Sequence, residues 1–552
     1  MEPVFIAVSA PEAGFVDAVR LDAEAAEAGR ERIPRAQFAA WVAEEERAHP
    51  RWVWGDTATW YPPLLAAGVR IERCLDLRMT RAVLRRAVSA AETALARAPL
   101  DSWDAPRTPP GTAPDALFEI VEPHREGDVA EELRRQLDAI AQSTSSGRLV
   151  LLTAADSVGA LIAAEMTHTG LPWDRGVHDR ILREILGERM PGGRPAHMEQ
   201  LAREIREALD DPQLNPDSPP ALLKSLQRAG LRVSSTSKWE LRGLEHPVVE
   251  PLLAYKSLAR LYTANGWAWL DEWVRDGRFR PVYVPAGVVT GRWASDGGGA
   301  LQLPKQVRGA VRADPGWKLV VADAAQLEPR VLAAMSGDGA MARAGQAHDM
   351  YEGMVETGAV ESREQAKYGM LGAIYGGTTG ESGRMRPRIE RAFPRAMAYV
   401  EDAARAGERG ESVSTRLGRS SPPGHEAGYD ETRTAEDRDR SRNVQRAWGR
   451  FTRNFVVQGT AAEWALCWMA EVRKRLWALG GGDDAPNPLA ERPHLVFFLH
   501  DELIVHTPKP FADAVAEIMR DAAAEAGRLL FGATPVEFSL SVGTVDAYSD
   551  AK

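Results

Sequence analysis

Three short stretches interrupt a chain whose apolar residues otherwise recur at helical spacing, and they restrict the fold more than any other feature. Trp317-Lys-Leu-Val-Val-Ala-Asp323 is an apolar run ending in a carboxylate, followed by Leu327, Val331 and Leu332 at helical intervals. Pro329 is compatible only with the first turn of such a helix, so the segment reads strand, Asp, helix. Leu495-Val-Phe-Phe-Leu499 and Leu503-Ile-Val505 are β-rich runs flanking His500-Asp501-Glu502, with Pro508 closing the second. They predict a hairpin with acids at its tip. Between the two, Arg363, Lys367, Leu371 and Tyr375 recur every four residues, so Arg363 and Lys367 share a helix face, and Gly376-Gly377 ends the helix. A mixed α/β chain with few strands and many helices follows.

A strand-end Asp commonly caps the next helix, and an acidic hairpin tip is commonly only solvated. Combined with Arg and Lys one helical turn apart, the two acids make the set that nucleotidyl transfer needs: carboxylates to hold two Mg²⁺ ions and cations to neutralise phosphates. Oxygen ligands suit Mg²⁺. Softer ligands are scarce, since the two cysteines, Cys74 and Cys467, stand far apart with no CxxC or Cys/His cluster.

The 552 residues carry 68 Lys and Arg against 78 Asp and Glu, a net charge of −10, which argues against a protein that coats nucleic acid. The average hides an asymmetry. Residues 1–150 hold 18 Arg, no Lys and 24 acids, whereas residues 384–453 hold 16 Arg against 11 acids. A local basic cleft suffices where the partner is gripped rather than coated. No run approaches about 18 apolar residues and the N-terminus lacks the pattern of a secretory signal, so a soluble, cytoplasmic chain without a membrane partner is expected. The Pro/Gly/Thr cluster Ala105–Pro114 is the best linker candidate of the N-terminal third. The Asp128–Leu186 segment and residues 219–275 read as helical. Residues 407–442, rich in Gly, Ser, Arg and Asp with a Ser421-Pro-Pro-Gly424 turn, are expected to form a long exposed excursion.

At these residues the chain resembles the family A DNA polymerases of the bacterial DNA polymerase I type. Asp323-Ala-Ala-Gln-Leu-Glu-Pro-Arg-Val-Leu-Ala333 with Ser336-Gly-Asp338 looks like motif A, Arg363 to Gly376 like motif B, and His500-Asp-Glu502 like motif C. Asn454-Phe-Val-Val-Gln-Gly-Thr-Ala-Ala-Glu463 is similar to the family's Gln-Gly-Thr-Ala-Ala-Asp segment, and Thr290-Gly-Arg292 with Leu301-Gln302 adds a further match. The resemblance implies a right-hand polymerase fold over residues 149–552: a thumb at about 149–289, a palm split between about 290–345 and 455–552, and fingers at about 346–454. It implies templated addition of deoxynucleoside triphosphates to the primer 3′-OH of primer-template DNA, in replication or repair. Asp323 and Asp501 become ligands for two Mg²⁺ ions, which Mn²⁺ can replace, with Glu502 an auxiliary acid. Gln326, Glu328, Arg363, Lys367, Leu371 and Tyr375 become nucleotide contacts, with Glu328 excluding a ribose 2′-OH and Lys367 a candidate general acid. Arg292, Arg450, Asn454, Gln458 and His500 would track the DNA near the primer terminus.

Several positions depart from the family pattern. Ala324 and Leu371 stand where aromatic residues are usual, Leu303 replaces an Asn, and Tyr351 replaces a His. The first 148 residues sit where the family carries a ribonuclease H-like 3′→5′ exonuclease domain, and Tyr61 to Asp76 resembles part of it. Its metal chemistry needs an Asp-x-Glu pair on the first strand, but Phe5-Ile-Ala-Val-Ser9 holds no acid, and Thr59 stands where a later Asp is expected. A vestigial domain without proofreading is therefore expected, with no 5′-nuclease domain ahead of it. Glu328 speaks against a single-subunit RNA polymerase, and both Asp323 and Asp501 speak against a dead DNA-binding scaffold. A monomer in a bacterial cytoplasm, at the nucleoid or of phage origin, completes the expectation.

Overall fold

The structure is a computed structural model that describes residues 4–10, 12, 14–105, 127–190, 192–377, 380–424, 435–480 and 489–551. Most of the proline-rich linker candidate lies outside them. The chain divides into two units, one of residues 1–169, 282–296 and 320–544, the other of residues 170–281, 297–319 and 545–552.

The larger unit holds a five-stranded sheet, a four-stranded sheet and the two-stranded pair Tyr283–Val284 and Ala294–Ser295. The first has the order Glu27–Pro34, Phe15–Leu21, Phe5–Ser9, Arg51–Trp54, Cys74–Asp76. Along that order the first three strands pair antiparallel, and the last three pair parallel. Phe5–Ser9 is buried over four of its five residues, which explains its unbroken apolar run. Asp76, wholly buried, ends the last strand, caps the helix Leu77–Leu84 by accepting the Met79 N–H at 3.0 Å, and also accepts the N–H of Thr57, the first residue of another helix, at 2.9 Å. Thr59 sits in the helix Thr57–Ala66 and donates to Asp56 at 3.1 Å.

The second sheet has the order His494–Leu499, Glu502–Pro508, Trp317–Ala324, Leu540–Val545. It packs beside the 45-residue helix Ala435–Leu479, whose Trp464 and Trp468 are buried; Trp468 donates to the Met519 carbonyl of the helix Ala512–Phe531 at 2.9 Å. Further along the long helix, Arg473 makes two bonds to Glu165, at 2.8 and 2.6 Å, and Tyr61 donates to the same carboxylate at 2.6 Å. All three are buried, and the cluster is completed by Arg473 donating to the Ile71 and Glu72 carbonyls, each at 2.6 Å, and by Arg70 at 3.6 Å from Glu165. The helix Ser146–Thr169 that carries Glu165 is long and apolar enough to cross a membrane, yet 72% of that window is buried in the protein. Its buried Asp156 and Glu165 are salt-bridged to Arg419 and Arg473, as befits a core helix.

The expected exposed excursion is corrected at Val413–Ser421, while Glu408, Arg409, Glu411, Asp439 and Arg440 are exposed as expected. Thr415, Leu417, Ser420 and Ser421 are buried, with Ser414 and Ser420 bridging a tight turn. Composition misled because burial there is made possible by polar partners from distant helices rather than by apolar side chains.

The smaller unit is helical, with helices Arg175–Leu186, Ala196–Ala208, Pro219–Arg228, Lys238–Arg242, Val249–Asn265 and Trp267–Trp273, and a three-stranded sheet of two-residue strands. Trp173, His178, Trp269 and Phe279 pack ring against ring, with centroids 4.9–5.7 Å apart.

Candidate active site

Asp323 lies near the end of the strand Trp317–Ala324, and the helix Leu327–Ser336 follows with Pro329 in its first turn. The turn between them is sharp because Gln326 adopts a left-handed conformation, φ +49°. Its carboxamide oxygen accepts the Met350 N–H at 3.1 Å. Arg330, 1% exposed, fixes the same corner by donating to the carbonyls of Ala325, Gly345, Ala347, His348 and Glu537, at 2.6–2.9 Å. Five bonds from one guanidinium tie together segments far apart in the chain.

The hairpin forms as expected. Leu499 pairs with Glu502, leaving His500 and Asp501 as the tip, with His500 at φ +60°. The Ala324 N–H donates to the Asp501 carbonyl at 2.9 Å, so the Asp323 strand end and the hairpin tip are held side by side. Burial and the neighbouring Asp323 charge push the Asp501 carboxyl up to about 7. Two carboxylates on adjoining strand ends offer hard oxygen donors that fit a divalent ion such as Mg²⁺. Glu502 is 2% exposed, behind the tip. Among the described residues, three side chains with ligand atoms within 4.8 Å of one another occur elsewhere, at Glu46, His49 and Glu72.

Arg292 is placed by the short strands Tyr283–Val284 and Ala294–Ser295 that flank it. The Tyr283 hydroxyl donates to the Phe498 carbonyl and accepts its N–H, both at 3.1 Å, and the Trp293 ring lies 5.2 Å from that of Phe498. From this support Arg292 forms an ion pair with Glu328, which also accepts from the Tyr375 hydroxyl at 2.9 Å. Burial and Glu328 push the Tyr375 hydroxyl up to about 12.

Arg363 to Tyr375 form one helix, capped by Ser362 at its start and by Gly376 at φ +75° at its end. Lys367 and Tyr375 are exposed and Leu371 is half-buried. Arg363 pairs with Asp349 at 2.8 Å and lies 5.7 Å above the Tyr351 ring. Asp349 escaped the sequence reading. Its signal was local: it caps the helix Met350–Glu356 through the Tyr351 and Glu352 N–H groups.

Arg450, Asn454 and Gln458 follow at four-residue spacing on the long helix and so share a face. Gln458 accepts from the Thr290 hydroxyl at 3.2 Å, and a Cβ on Gly376 would stand 3.0 Å from the Arg450 side chain, which places the row beside the end of the Lys367 helix. His500 is exposed at the hairpin tip. Leu303, in the smaller unit, is buried.

The sequence profile of DNA polymerase family A matches residues 193–548. The chain belongs to DNA polymerase family A. It is 29% identical over 350 residues to DNA polymerase I of Chloroflexus aurantiacus, covering 58% of this chain and 34% of that protein. To the thermostable DNA polymerase I of Thermus aquaticus it is 28% identical over 356 residues, covering 59% of this chain and 39% of that one. The chain thus spans between a third and two fifths of the length of these relatives. The polymerase domain of Pol1 from M. smegmatis, solved in complex with a DNA primer-template and a dNTP, has the same fold: TM-score 0.68 and 18% identity, over 99% of this chain and 95% of that one. The family A polymerase fold is therefore the fold of this chain, and the motifs that suggested it occupy the corner just described.

Proposed function

We propose that this family A polymerase extends the 3′-OH of a primer with deoxynucleotides chosen by a DNA template. The observation that carries the reading is the pairing of Asp323 with Asp501 at adjoining strand ends, beside the Arg292–Glu328–Tyr375 cluster. Asp323 and Asp501 would hold two Mg²⁺ ions, which supply Lewis-acid activation of the primer 3′-oxygen and neutralise the charge developing on the triphosphate. Arg363 and Lys367 present cations to the phosphates, with the Arg363 guanidinium already oriented by Asp349. The primer 3′-OH gives up its proton to solvent water as its oxygen bonds to the α-phosphorus and the bond to the bridging oxygen breaks, and Lys367 would donate a proton to the departing pyrophosphate and regain one from water. Glu328, held from both sides, occupies the space that a ribose 2′-OH would need. Tyr375 lies under the nascent base pair, while Arg292, Arg450, Asn454, Gln458 and His500 follow the duplex through contacts that do not read sequence.

In this reading the thumb is about residues 149–289, the palm about 290–345 and 455–552, and the fingers about 346–454. The N-terminal sheet is a vestige without proofreading activity, because its first strand, Phe5–Ser9, carries no acid. The test is extension of a labelled hairpin primer with a 5′ overhang, four deoxynucleotides and Mg²⁺. Extension to the template end is expected, with a mismatched primer left at full length when nucleotides are withheld. A primer left unextended with either Mg²⁺ or Mn²⁺ overturns the reading, and shortening of the mismatched primer overturns the vestigial assignment.

A further inference from the structure

We propose that Glu463, through the turn Val413–Ser421, is a positioning residue for Arg292 and thereby sets how strictly the site rejects ribonucleotides; the inference rests on the polymerase reading above. Glu463 lies on the long helix, 1% exposed. One carboxylate oxygen accepts from the Thr415 hydroxyl and the other accepts the Leu417 N–H at 2.9 Å. A third tie runs from the Arg416 N–H to the Thr460 hydroxyl at 3.0 Å. The turn itself closes through Thr415 N–H to the Arg419 carbonyl, 2.9 Å, and Ser421 N–H to the Val413 carbonyl, 2.9 Å. It is thus a small rigid piece clamped to the helix by a buried carboxylate. A carboxylate this deep, with no guanidinium bonded to it, is costly unless the groups it holds require it.

What the turn touches gives that requirement. Arg419 reaches both oxygens of Asp156 at 2.6 and 2.8 Å, and its guanidinium lies against Gly291. A Cβ on Gly291 would stand 2.5 Å from Arg419 Nε, and the residue's φ of +86° already excludes most side chains. On the other side, a Cβ on Gly459 would stand 2.4 Å from Thr415 Cγ2 and 3.1 Å from the Thr290 carbonyl. Thr290 and Gly291 are therefore wedged between the turn and the long helix, with the Thr290 hydroxyl also donating to Gln458 at 3.2 Å. Arg292 is the next residue. Its own turn is closed by Gly291 N–H to the Val288 carbonyl, 2.8 Å, and Val288 N–H to the Arg292 carbonyl, 3.0 Å. Packed interiors pass on displacement rather than absorb it, so loosening the Val413–Ser421 turn shifts Arg292. Arg292 in turn pairs with Glu328, which in the polymerase reading above is the side chain that excludes a ribose 2′-OH.

The experiment measures incorporation efficiency of a deoxynucleotide and of the matching ribonucleotide by wild type, Glu463→Leu, Glu463→Gln and Thr415→Val. The ratio of the two efficiencies is independent of how much enzyme is folded, so a merely structural role leaves it unchanged. Glu463→Leu is expected to lower the ratio about tenfold, with the larger part of the change in KM, and Thr415→Val about threefold. Glu463→Gln, which still accepts from Leu417 and can donate to Thr415, is expected to restore it to within twofold of wild type. Ratios within twofold of wild type for Glu463→Leu overturn the inference; should that variant fail to fold, the Thr415→Val ratio decides in the same way. Equal losses in Glu463→Gln and Glu463→Leu also overturn it, since the clamp survives in the first. A wild type that extends no primer removes the polymerase reading and this inference together, whereas an active wild type with unchanged variant ratios removes the inference alone.

Discussion

In the larger unit the N-terminal sheet closes a strand on Asp76 and the four-stranded sheet turns a hairpin on Asp501, and the two acids live in different surroundings. Asp76 closes the N-terminal sheet wholly buried, with its oxygens accepting two backbone N–H groups. Asp501 stands at the tip of the other sheet beside Asp323, and burial with that like charge pushes it up to about 7. The first carboxylate completes a local structure and needs nothing more. The second is a charge the fold makes unwelcome until a cation joins it. A strand-end Asp is therefore informative less by its position than by what accepts or repels its charge.

The largest expected effect lies on the reactive side of this contrast. Asp323→Ala and Asp501→Ala should each lower primer extension by at least about a hundredfold, while affinity for a labelled primer-template stays within a few-fold of wild type. Extension by either variant above about a hundredth of the wild-type rate would end the two-metal assignment. Asp76→Ala should do the reverse. It strands two buried N–H donors at about 1–3 kcal/mol each, so unfolding in urea should show a loss of roughly 3 kcal/mol while extension per folded molecule is unchanged. A defect in extension without a loss of stability would show that the N-terminal sheet takes part in the chemistry.

The same contrast explains what could be read in the sequence. Strand, Asp and helix at 317–336, the hairpin at 494–508 and the helix at 363–375 were legible because short apolar runs, a proline in a first turn and a terminal glycine are local signals. That Asp323 and Asp501 belong to one site was read from their combined chemistry and strengthened by the family resemblance, because 178 positions separate them and no local signal brings them together. The burial of Val413–Ser421 was misread because its partners, Asp156 and Glu463, lie elsewhere in the chain and make a polar segment compatible with the core. Arg330 gave no sign at all. Its five acceptors are backbone carbonyls, which any sequence supplies.

A smaller effect sharpens the electrostatic half of the comparison. In metal-free protein the Asp501 carboxyl titrates near 7 when folded and in the ordinary carboxylate range when unfolded, so the folded state binds the extra proton between those values. Its contribution to stability is present at low pH and is lost as pH rises through about 7. Asp501→Asn removes the repulsion with Asp323 and should raise metal-free stability at pH 8 by about 2 kcal/mol, with little change at pH 4. Denaturant unfolding in EDTA at the two pH values measures this. An equal change at both would mean that the gain comes from packing rather than charge.

The smallest expected effect concerns Leu371, half-buried one turn before Tyr375. A leucine side chain offers the nucleotide sugar no hydrogen bond, so a dideoxynucleotide, which lacks its 3′-OH, finds nothing there to replace the bond it cannot make. The polar groups left unsatisfied cost about 1–3 kcal/mol, and the wild type should reject dideoxynucleotides by tenfold to a hundredfold. Leu371→Tyr supplies a hydroxyl and should relax that rejection about tenfold. The Leu371 side chain is itself half-buried, so its surroundings are already partly filled. The larger ring should therefore lower the overall rate as well. Relative incorporation of dideoxy- and deoxynucleotides by both proteins separates the two effects, because crowding slows both substrates alike while the new hydroxyl changes only their ratio. An unchanged ratio would place Leu371 away from the sugar and leave selectivity there to Glu328 and Tyr375.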